Sequence, residues 1–233
     1  MTRIINPDFY PAQPLILSVE TATLAGSVAL TRGEQVVAAS SSNAGISHSN
    51  RLLNDIDVLL SGAHSALPEI ELFAVANGPG SFTGLRIGIA TVKALAETLG
   101  HPCAGIPTLE AIALAAGESE RSVALLPAGR GEVFAQLFSV THDGLVTALD
   151  NATHISPQKL LEKYGSLEDV VWCGEGAIVH SALLSNGRVA APVQNLATHV
   201  ASLALKRFRE GQLQAPDALQ AVYVRPSDAE LKV

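Results

Sequence analysis

Hydrophobic positions in the first half of the chain form short apolar runs separated by turns, and two longer stretches with helical spacing. Short apolar runs bounded by turn residues predict strands, and apolar residues three and four apart predict helices. The close links between the first runs favour an antiparallel meander. The pattern predicts three strands, a helix, a strand, a helix and a strand, over residues 15–19, 27–31, 34–40, 50–63, 72–76, 85–99 and 102–106.

The second half of the chain repeats this order of elements without repeating its residues. Asp143-Gly144 is a hairpin signal, and Ser156 before Pro157 predicts a capped helix start. We expect a turn over residues 127–131. The predicted strands span 122–126, 132–140, 145–149, 170–173 and 189–193, and the predicted helices span 157–164, 174–186 and 197–210.

Two halves of this kind predict an α/β fold with two lobes. In each lobe an antiparallel three-strand meander extends a mixed sheet that is flanked by helices. We expect an N-terminal extension over residues 1–13, a first lobe over 14–107 and a second, degenerate lobe over 108–233. The last predicted helix is expected to pack back on the first lobe.

Composition narrows the possible function. The formal net charge of −7 disfavours an independent nucleic-acid binder, which needs basic surface to neutralise phosphates. Cys103 and Cys173 lie far apart in apolar runs, which predicts buried thiols and neither a disulfide framework nor a zinc site. No apolar run approaches the roughly 20 residues of a membrane span, and the N-terminal residues lack a signal-peptide pattern. We therefore expect a cytoplasmic protein with no membrane contact.

The Gly-rich segment Gly78–Gly88 joins the fourth predicted strand to the second predicted helix. Glycines in such a turn either cradle a phosphate at the helix N-terminus or let another helix pack closely. The spacing matches neither a P-loop nor a dinucleotide fingerprint, and Pro79 lacks the backbone N–H that a phosphate loop uses. Gly84, Gly88 and Thr91 recur at helical spacing, which favours close helix packing.

The sequence carries no pattern for catalysis or metal binding. None of the seven histidines is followed by another four residues later, so the spacing predicts no metal site. Gly-x-Ser-x-Gly, the signature of a nucleophile elbow, is absent. We therefore predict no catalytic residue and no metal ligand.

Six short motifs follow one another along the chain. They are Ile16-Leu17-Ser18-Val19-Glu20-Thr21, His48-Ser49, the Gly78–Gly88 segment, Thr108-Leu109-Glu110, Gly129-Arg130-Gly131-Glu132-Val133-Phe134 and Tyr223-Val224-Arg225. In this order they resemble the bacterial TsaB family, also known as YeaZ. The Gly-rich segment is the most specific of them, and the resemblance runs from about residue 14 to about residue 226.

The resemblance implies an actin-like ATPase (RNase H-like) fold and a role in forming N6-threonylcarbamoyladenosine in tRNA, next to the anticodon. It implies a non-catalytic subunit that supports the catalytic paralogue TsaD, in a complex that also contains the ATPase TsaE. Pairing with TsaD, or with a second copy in a homodimer, is implied to use the first two helices. We expect tRNA contact only through the complex. The expected interface residues are Leu52, Leu53, Ile56, Gly84, Leu85, Gly88, Thr91, Val92 and Leu95.

Nucleotide binding is expected to be weak in the isolated chain. In actin-like ATPases the first hairpin turn of each lobe approaches the nucleotide phosphates, commonly with an aspartate. The matching turns here offer Glu20 and Thr21 in the first lobe and Pro127 in the second, while Gly174 and Gly176 resemble a degenerate adenosine loop. We expect no cofactor in the isolated chain, and ATP or ADP at an interface of the complex stays open.

Two other functions compete with this interpretation. Related sequences have been called glycoproteases, which suggests a metallo- or glycoprotease-like hydrolase of the same superfamily. The missing zinc ligands and the missing Ser-His-Asp signature disfavour that hypothesis. The fold also suits a small-molecule kinase, which the degenerate phosphate turns disfavour.

Overall fold

The computed structural model describes residues 11–42 and 48–224, with the backbone alone at 48–50. Most of the expected N-terminal extension therefore lies outside the described residues. The strands are β1 (Leu15–Glu20), β2 (Ser27–Arg32), β3 (Gln35–Ser41), β4 (Leu72–Gly78), β5 (Cys103–Pro107), β6 (Ser119–Gly129), β7 (Glu132–Val140), β8 (Val146–Ala148), β9 (Thr153–Ile155), β10 (Val170–Cys173) and β11 (Gly187–Val189). The helices are α1 (His48–Gly62), α2 (Phe82–Leu99), α3 (Thr108–Ala115), α4 (Pro157–Tyr164), α5 (Glu175–Val179) and α6 (Leu196–Arg209).

The first sheet has five strands in the order β3-β2-β1-β4-β5. β1, β2 and β3 form the antiparallel meander, and β4 runs parallel to β1 with Ile16 opposite Leu72. A parallel neighbour needs a crossover connection, which α1 supplies between β3 and β4. All residues of β1 and β4 are buried, as expected for strands that are covered on both faces.

Helices cover both faces of this sheet. Ser18 Oγ donates to the Ala197 carbonyl of α6 at 2.8 Å, so α6 lies on the face toward which Ser18 points. Val75, which pairs with Val19 of β1, lies against Gly88 of α2. Because successive strand residues point to opposite faces, α2 covers the other face of the sheet. α1 packs beside α2, against β2 and β3.

The second sheet has six strands and repeats the arrangement of the first. Its order is β11-β10-β6-β7-β8, and β9 also pairs with β7. β6 and β7 are antiparallel, as are β7 and its neighbours β8 and β9, whereas β10 is parallel to β6. Two mixed sheets that each carry an antiparallel meander and flanking helices confirm the predicted fold class.

The chain forms two compact units. Among the described residues, the first contains 11–42, 48–77, 81–106 and 195–221, and the second contains 78–80, 107–194 and 222–224. The boundary between the first and second parts of the chain thus falls at residues 106 and 107. α6 belongs to the first unit, where it packs against β1 and β2.

Helix α3 is the one helix of the described residues that the hydrophobic pattern did not predict. Five of its eight residues are buried, and its side chains are apolar almost all round. A helix that is buried on most of its surface loses the alternation of polar and apolar positions on which the prediction depends. No periodic signal therefore separated this segment from a buried loop.

Several predicted boundaries in the second unit differ from the structure. β6 continues to Gly129, so the turn lies at Arg130-Gly131, where both residues have positive φ angles of 53° and 78°. The predicted helix 174–186 is interrupted: α5 ends at Val179 and a short 3-10 turn follows at Ser181–Leu183. β9 was not predicted, because three half-buried residues carry almost no pattern.

Asp150 ties three parts of the second unit together. Its carboxylate accepts hydrogen bonds from the Leu137 backbone N–H of β7 and from Tyr164 Oη of α4, each at 2.7 Å. Lys163 Nζ lies 2.7 Å from the same carboxylate. Burial, and after it the hydrogen bond to Asp150, raise the pKa of Tyr164 far above its usual range. Tyr164 in turn packs edge-on against the buried Trp172.

We predict that Asp150→Ala destabilises the second unit by about 2–3 kcal/mol, because it leaves a backbone N–H and a buried hydroxyl without their acceptor. Tyr164→Phe removes one hydroxyl and leaves the Asp150 carboxylate in place, so its cost should be about 1 kcal/mol. Urea unfolding followed by the fluorescence of Trp172, the single tryptophan, measures both. Equal losses in the two variants would contradict the central role of Asp150.

Candidate functional site

The Gly-rich segment leads from β4 into α2. Gly78 ends β4, the Gly78–Pro79 peptide bond is cis, and α2 begins at Phe82. Ser81 caps the helix, since its Oγ accepts a hydrogen bond from the Gly84 backbone N–H at 3.2 Å. The backbone N–H of Ser81 donates to the Ala22 carbonyl at 2.8 Å, so the start of α2 is fixed to the loop between β1 and β2.

Gly84 and Gly88 both face Thr21, the residue that follows β1. A Cβ atom on Gly84 would lie 1.9 Å from the Thr21 carbonyl oxygen, and one on Gly88 would lie 2.3 Å from Thr21 Oγ1. Thr21 Oγ1 also donates to the Gly84 carbonyl at 2.8 Å. The close approach predicted for these glycines thus exists, but it joins α2 to the chain's own first strand. Contact of Gly84 and Gly88 with a partner helix stays a prediction.

Glu20 organises the loop between β1 and β2. It is buried, and its two carboxylate oxygens accept hydrogen bonds from the Thr23 backbone N–H and from Thr23 Oγ1, each at 2.7 Å. The side chain that was expected to approach a nucleotide therefore bonds its own loop. Thr23, three residues after Glu20, is the sequence signal for this contact, since threonine commonly bonds nearby groups in turns.

Beside this loop lies a small cleft that is open to solvent. Two carboxylates line it, Glu20 from the loop and Asp55 from α1, and Asp55 accepts a hydrogen bond from Ser42 Oγ at 2.7 Å. The other lining residues are Thr21, Gly26, Ser27, Val28, Ser42 and Leu52. No lysine or arginine is among these described lining residues, although Arg51 Nη2 lies 3.4 Å from Asp55 Oδ1 and partly offsets the charge of that carboxylate.

In the second unit, Gly174 and Gly176 lie against strand β6. A Cβ atom on Gly174 would lie 2.3 Å from the Leu125 carbonyl oxygen, and one on Gly176 would lie 2.9 Å from Leu125 Cβ. Both glycines thus let the turn between β10 and α5 approach β6. Packing accounts for them without a nucleotide, and their assignment to an adenosine loop stays a prediction.

The cysteines are unsuited to act as nucleophiles. Cys103 and Cys173 are buried free thiols, and burial raises the pKa of each to about 12. At neutral pH such thiols stay protonated, whereas the thiolate is the reactive form.

Within residues 11–42 and 48–224 the structure shows no cluster of three potential metal ligands. It also shows no helix there with the length and apolar character of a membrane span.

Comparison with known proteins assigns the family. A family model described as TsaD, tRNA N6-adenosine threonylcarbamoyltransferase, matches residues 39–222. The Escherichia coli protein named tRNA threonylcarbamoyladenosine biosynthesis protein TsaB is 29% identical over 229 residues, covering 94% of this chain and 97% of that protein. The chain belongs to the TsaD family, in its TsaB (YeaZ) branch. This confirms the resemblance inferred from the motifs.

A second protein of the TsaB name agrees with this assignment, and a solved YeaZ structure agrees with the fold. The Bacillus subtilis protein of the same TsaB name is 31% identical over 124 residues, which is 53% of this chain and 54% of that protein. The solved structure of YeaZ from Pseudomonas aeruginosa superposes with a TM-score of 0.76 at 24% identity, and covers 90% of this chain and 99% of the other. That structure supports the fold alone, in agreement with the two actin-like lobes.

Of the nine interface residues predicted for this TsaB-family chain, six are buried inside the first unit: Leu52, Ile56, Gly84, Leu85, Gly88 and Val92. Leu53 is 65% exposed, and Thr91 and Leu95 are half-buried. The structure adds Val58, which is 61% exposed on α1. We call Leu53, Val58, Thr91 and Leu95 the α1–α2 face. The six buried residues of the predicted interface pack inside the first unit beneath the α1–α2 face.

We predict that Gly84→Ala destabilises the first unit by about 1–3 kcal/mol, because the added methyl overlaps a backbone carbonyl that cannot move away cheaply. Gly62→Ala in α1 is the matched control: a Cβ there meets nothing within 4 Å, so the change should be neutral or slightly stabilising. Amide hydrogen exchange of the β1 residues measures both variants. Equal protection of β1 in the two would contradict the close approach at Thr21.

Proposed function

We propose that this chain is a non-catalytic partner subunit that binds and supports a TsaD-like transferase in forming N6-threonylcarbamoyladenosine in tRNA, next to the anticodon. The observation that carries the proposal is the similarity to the E. coli TsaB protein along 94% of the chain. The buried, protonated thiols agree with a role outside catalysis. In this proposal the protein works in the cytoplasm, and tRNA and a TsaE-like ATPase are reached through the complex.

The α1–α2 face is the proposed docking surface. Two large apolar side chains, Leu53 and Val58, are mostly exposed on α1, although most residues of that size are buried in this chain. α1 packs beside α2, whose inner side is fixed to Thr21 by the two glycines. A rigid helix pair with exposed leucine and valine suits a helix from a partner. In the absence of the TsaD-like partner, the same face would join two copies of this chain.

We predict that Leu53→Glu weakens binding to the TsaD-like subunit by about tenfold or more, because it loses the burial of a leucine side chain and places a charge in the interface. Leu149→Glu is the matched control, since Leu149 is 50% exposed and belongs to the second unit. Titration of each variant with the partner gives the affinity, and reconstitution with TsaE, ATP, tRNA and threonylcarbamoyl-AMP gives the yield of modified adenosine.

Equal weakening by Leu53→Glu and Leu149→Glu would contradict the docking surface. A full yield of modified adenosine with this chain omitted would contradict the supporting role itself. Cleavage of a glycoprotein by the purified chain would instead favour the hydrolase hypothesis.

We also propose that the isolated chain binds ATP or ADP weakly at most. The support is the cleft beside β1, where no described lining residue is a lysine or arginine that could pair with a triphosphate, and where Glu20 and Asp55 already accept hydrogen bonds. Isothermal titration with ATP and Mg²⁺ should give no saturable heat in the low micromolar range. A saturating low-micromolar isotherm would overturn this expectation, and the same titration with the TsaD-like partner present tests for a nucleotide held by the complex.

A further inference from the structure

The segment after α6 runs along the open edge of the first sheet. β5 is the outermost strand on that side. The Gln214 backbone N–H donates to the Cys103 carbonyl at 3.0 Å, and the Cys103 N–H donates to the Gln214 carbonyl at 3.1 Å. This antiparallel bridge lets residues 212–221, hereafter the strap, cover backbone groups that an open edge would expose.

A lysine of α2 holds the strap. Lys93 Nζ donates to the carbonyls of Asp217 and Leu219, each at 3.2 Å. Asn77 Nδ2 adds a hydrogen bond to the Gln220 carbonyl at 3.2 Å. Hydrogen bonds from a charged donor are stronger than those from a neutral one, so Lys93 holds the strap more strongly than Asn77 does, in addition to the backbone bridge at Gln214.

The strap has little apolar anchorage of its own. Leu219 is its one buried residue, and the other residues from 212 to 221 are exposed or half-buried. Segments with few buried apolar contacts open locally at low cost, while the rest of the unit stays folded. Loss of the two bonds from Lys93 should therefore release the strap without unfolding β1.

We propose that the strap is a latch on the β5 edge, that Lys93 keeps it closed, and that the closed latch is the state in which α2 accepts a partner. The last part rests on the proposed function, because it takes α2 as half of the docking surface. The strap contacts α2 both through Lys93 and through the turn Pro216–Ala218, so opening the strap removes contacts from α2 itself. Docking and latch closure would then favour each other, as linkage requires.

Cys103 gives a direct readout of the latch. Its side chain is fully buried and its thiol lies 3.6 Å from the Gln214 carbonyl of the strap. Opening the strap should expose this thiol to a maleimide, while Cys173, buried in the second unit, serves as an internal reference. Mass spectrometry of the labelled peptides separates the two sites.

The test compares Lys93→Met with Lys159→Met, which removes an exposed lysine of α4 as a matched control. We expect maleimide labelling of Cys103 to accelerate about tenfold in Lys93→Met, because two charge-assisted bonds are lost. Labelling of Cys173, and all labelling in Lys159→Met, should stay at the original rate. Lys93→Arg keeps a charged donor and should largely restore slow labelling.

The direction of this effect excludes a simple change in thiol reactivity. The charge of Lys93 lowers the pKa of Cys103, against the larger rise that burial causes. Lys93→Met removes that lowering, so the thiolate becomes scarcer and labelling would slow if the strap stayed closed. Faster labelling therefore reports exposure.

Unchanged or slower labelling of Cys103 in Lys93→Met would overturn the latch. Loss of amide-exchange protection throughout β1 would also overturn it, since the latch must open without unfolding its unit. Partner titration tests the second part: Lys93→Met should bind the TsaD-like subunit several-fold more weakly than Lys159→Met. Equal affinities of the two variants would overturn the link between the latch and docking. If the unaltered chain failed to bind the partner, the proposed function would be refuted, and the labelling of Cys103 alone would decide whether the latch exists.

Discussion

Helix α2 lies so close to the end of strand β1 that residues 84 and 88 can carry no side chain. Thr21 fills the space that a Cβ atom would need and donates to the Gly84 carbonyl. This contact fixes how α2 lies on the sheet, and the position of α1 follows because α1 packs beside α2. The β1–β2 loop depends on it too, since the start of α2 is bonded to Ala22.

The residues at the positions expected for a nucleotide site also make contacts within the chain. In the first unit, the carboxylate of Glu20 accepts hydrogen bonds from Thr23, and the hydroxyl of Thr21 donates a hydrogen bond to the Gly84 carbonyl of α2. In the second unit, Gly174 and Gly176 allow contact with Leu125. Glycines and a carboxylate at the expected positions thus serve packing, which keeps the architecture of the lobes.

α2 makes three kinds of contact. Its glycines are fixed against Thr21 at the end of β1, Thr91 and Leu95 further along the same stripe of the helix contribute to the α1–α2 face, and Lys93 reaches the strap that covers the β5 edge. A helix held so firmly near its start can present a preorganised surface further along, which lowers the entropic cost of docking. The contacts with β1, with the strap and with the proposed partner thus all involve α2 or the turn that leads into it.

The sequence by itself determined the order of strands and helices, the two-lobed α/β fold and the family, because these depend on local periodicity and on motifs such as the Gly78–Gly88 segment. It missed α3, whose nearly complete burial removes the periodic signal. It also could not assign what the small residues contact: spacing predicted close packing at Gly84 and Gly88 but not that Thr21, 63 residues from Gly84, is the neighbour. Only the tertiary structure identified Thr21 as this neighbour, because contacts between residues far apart in the sequence depend on how each helix packs on the sheet.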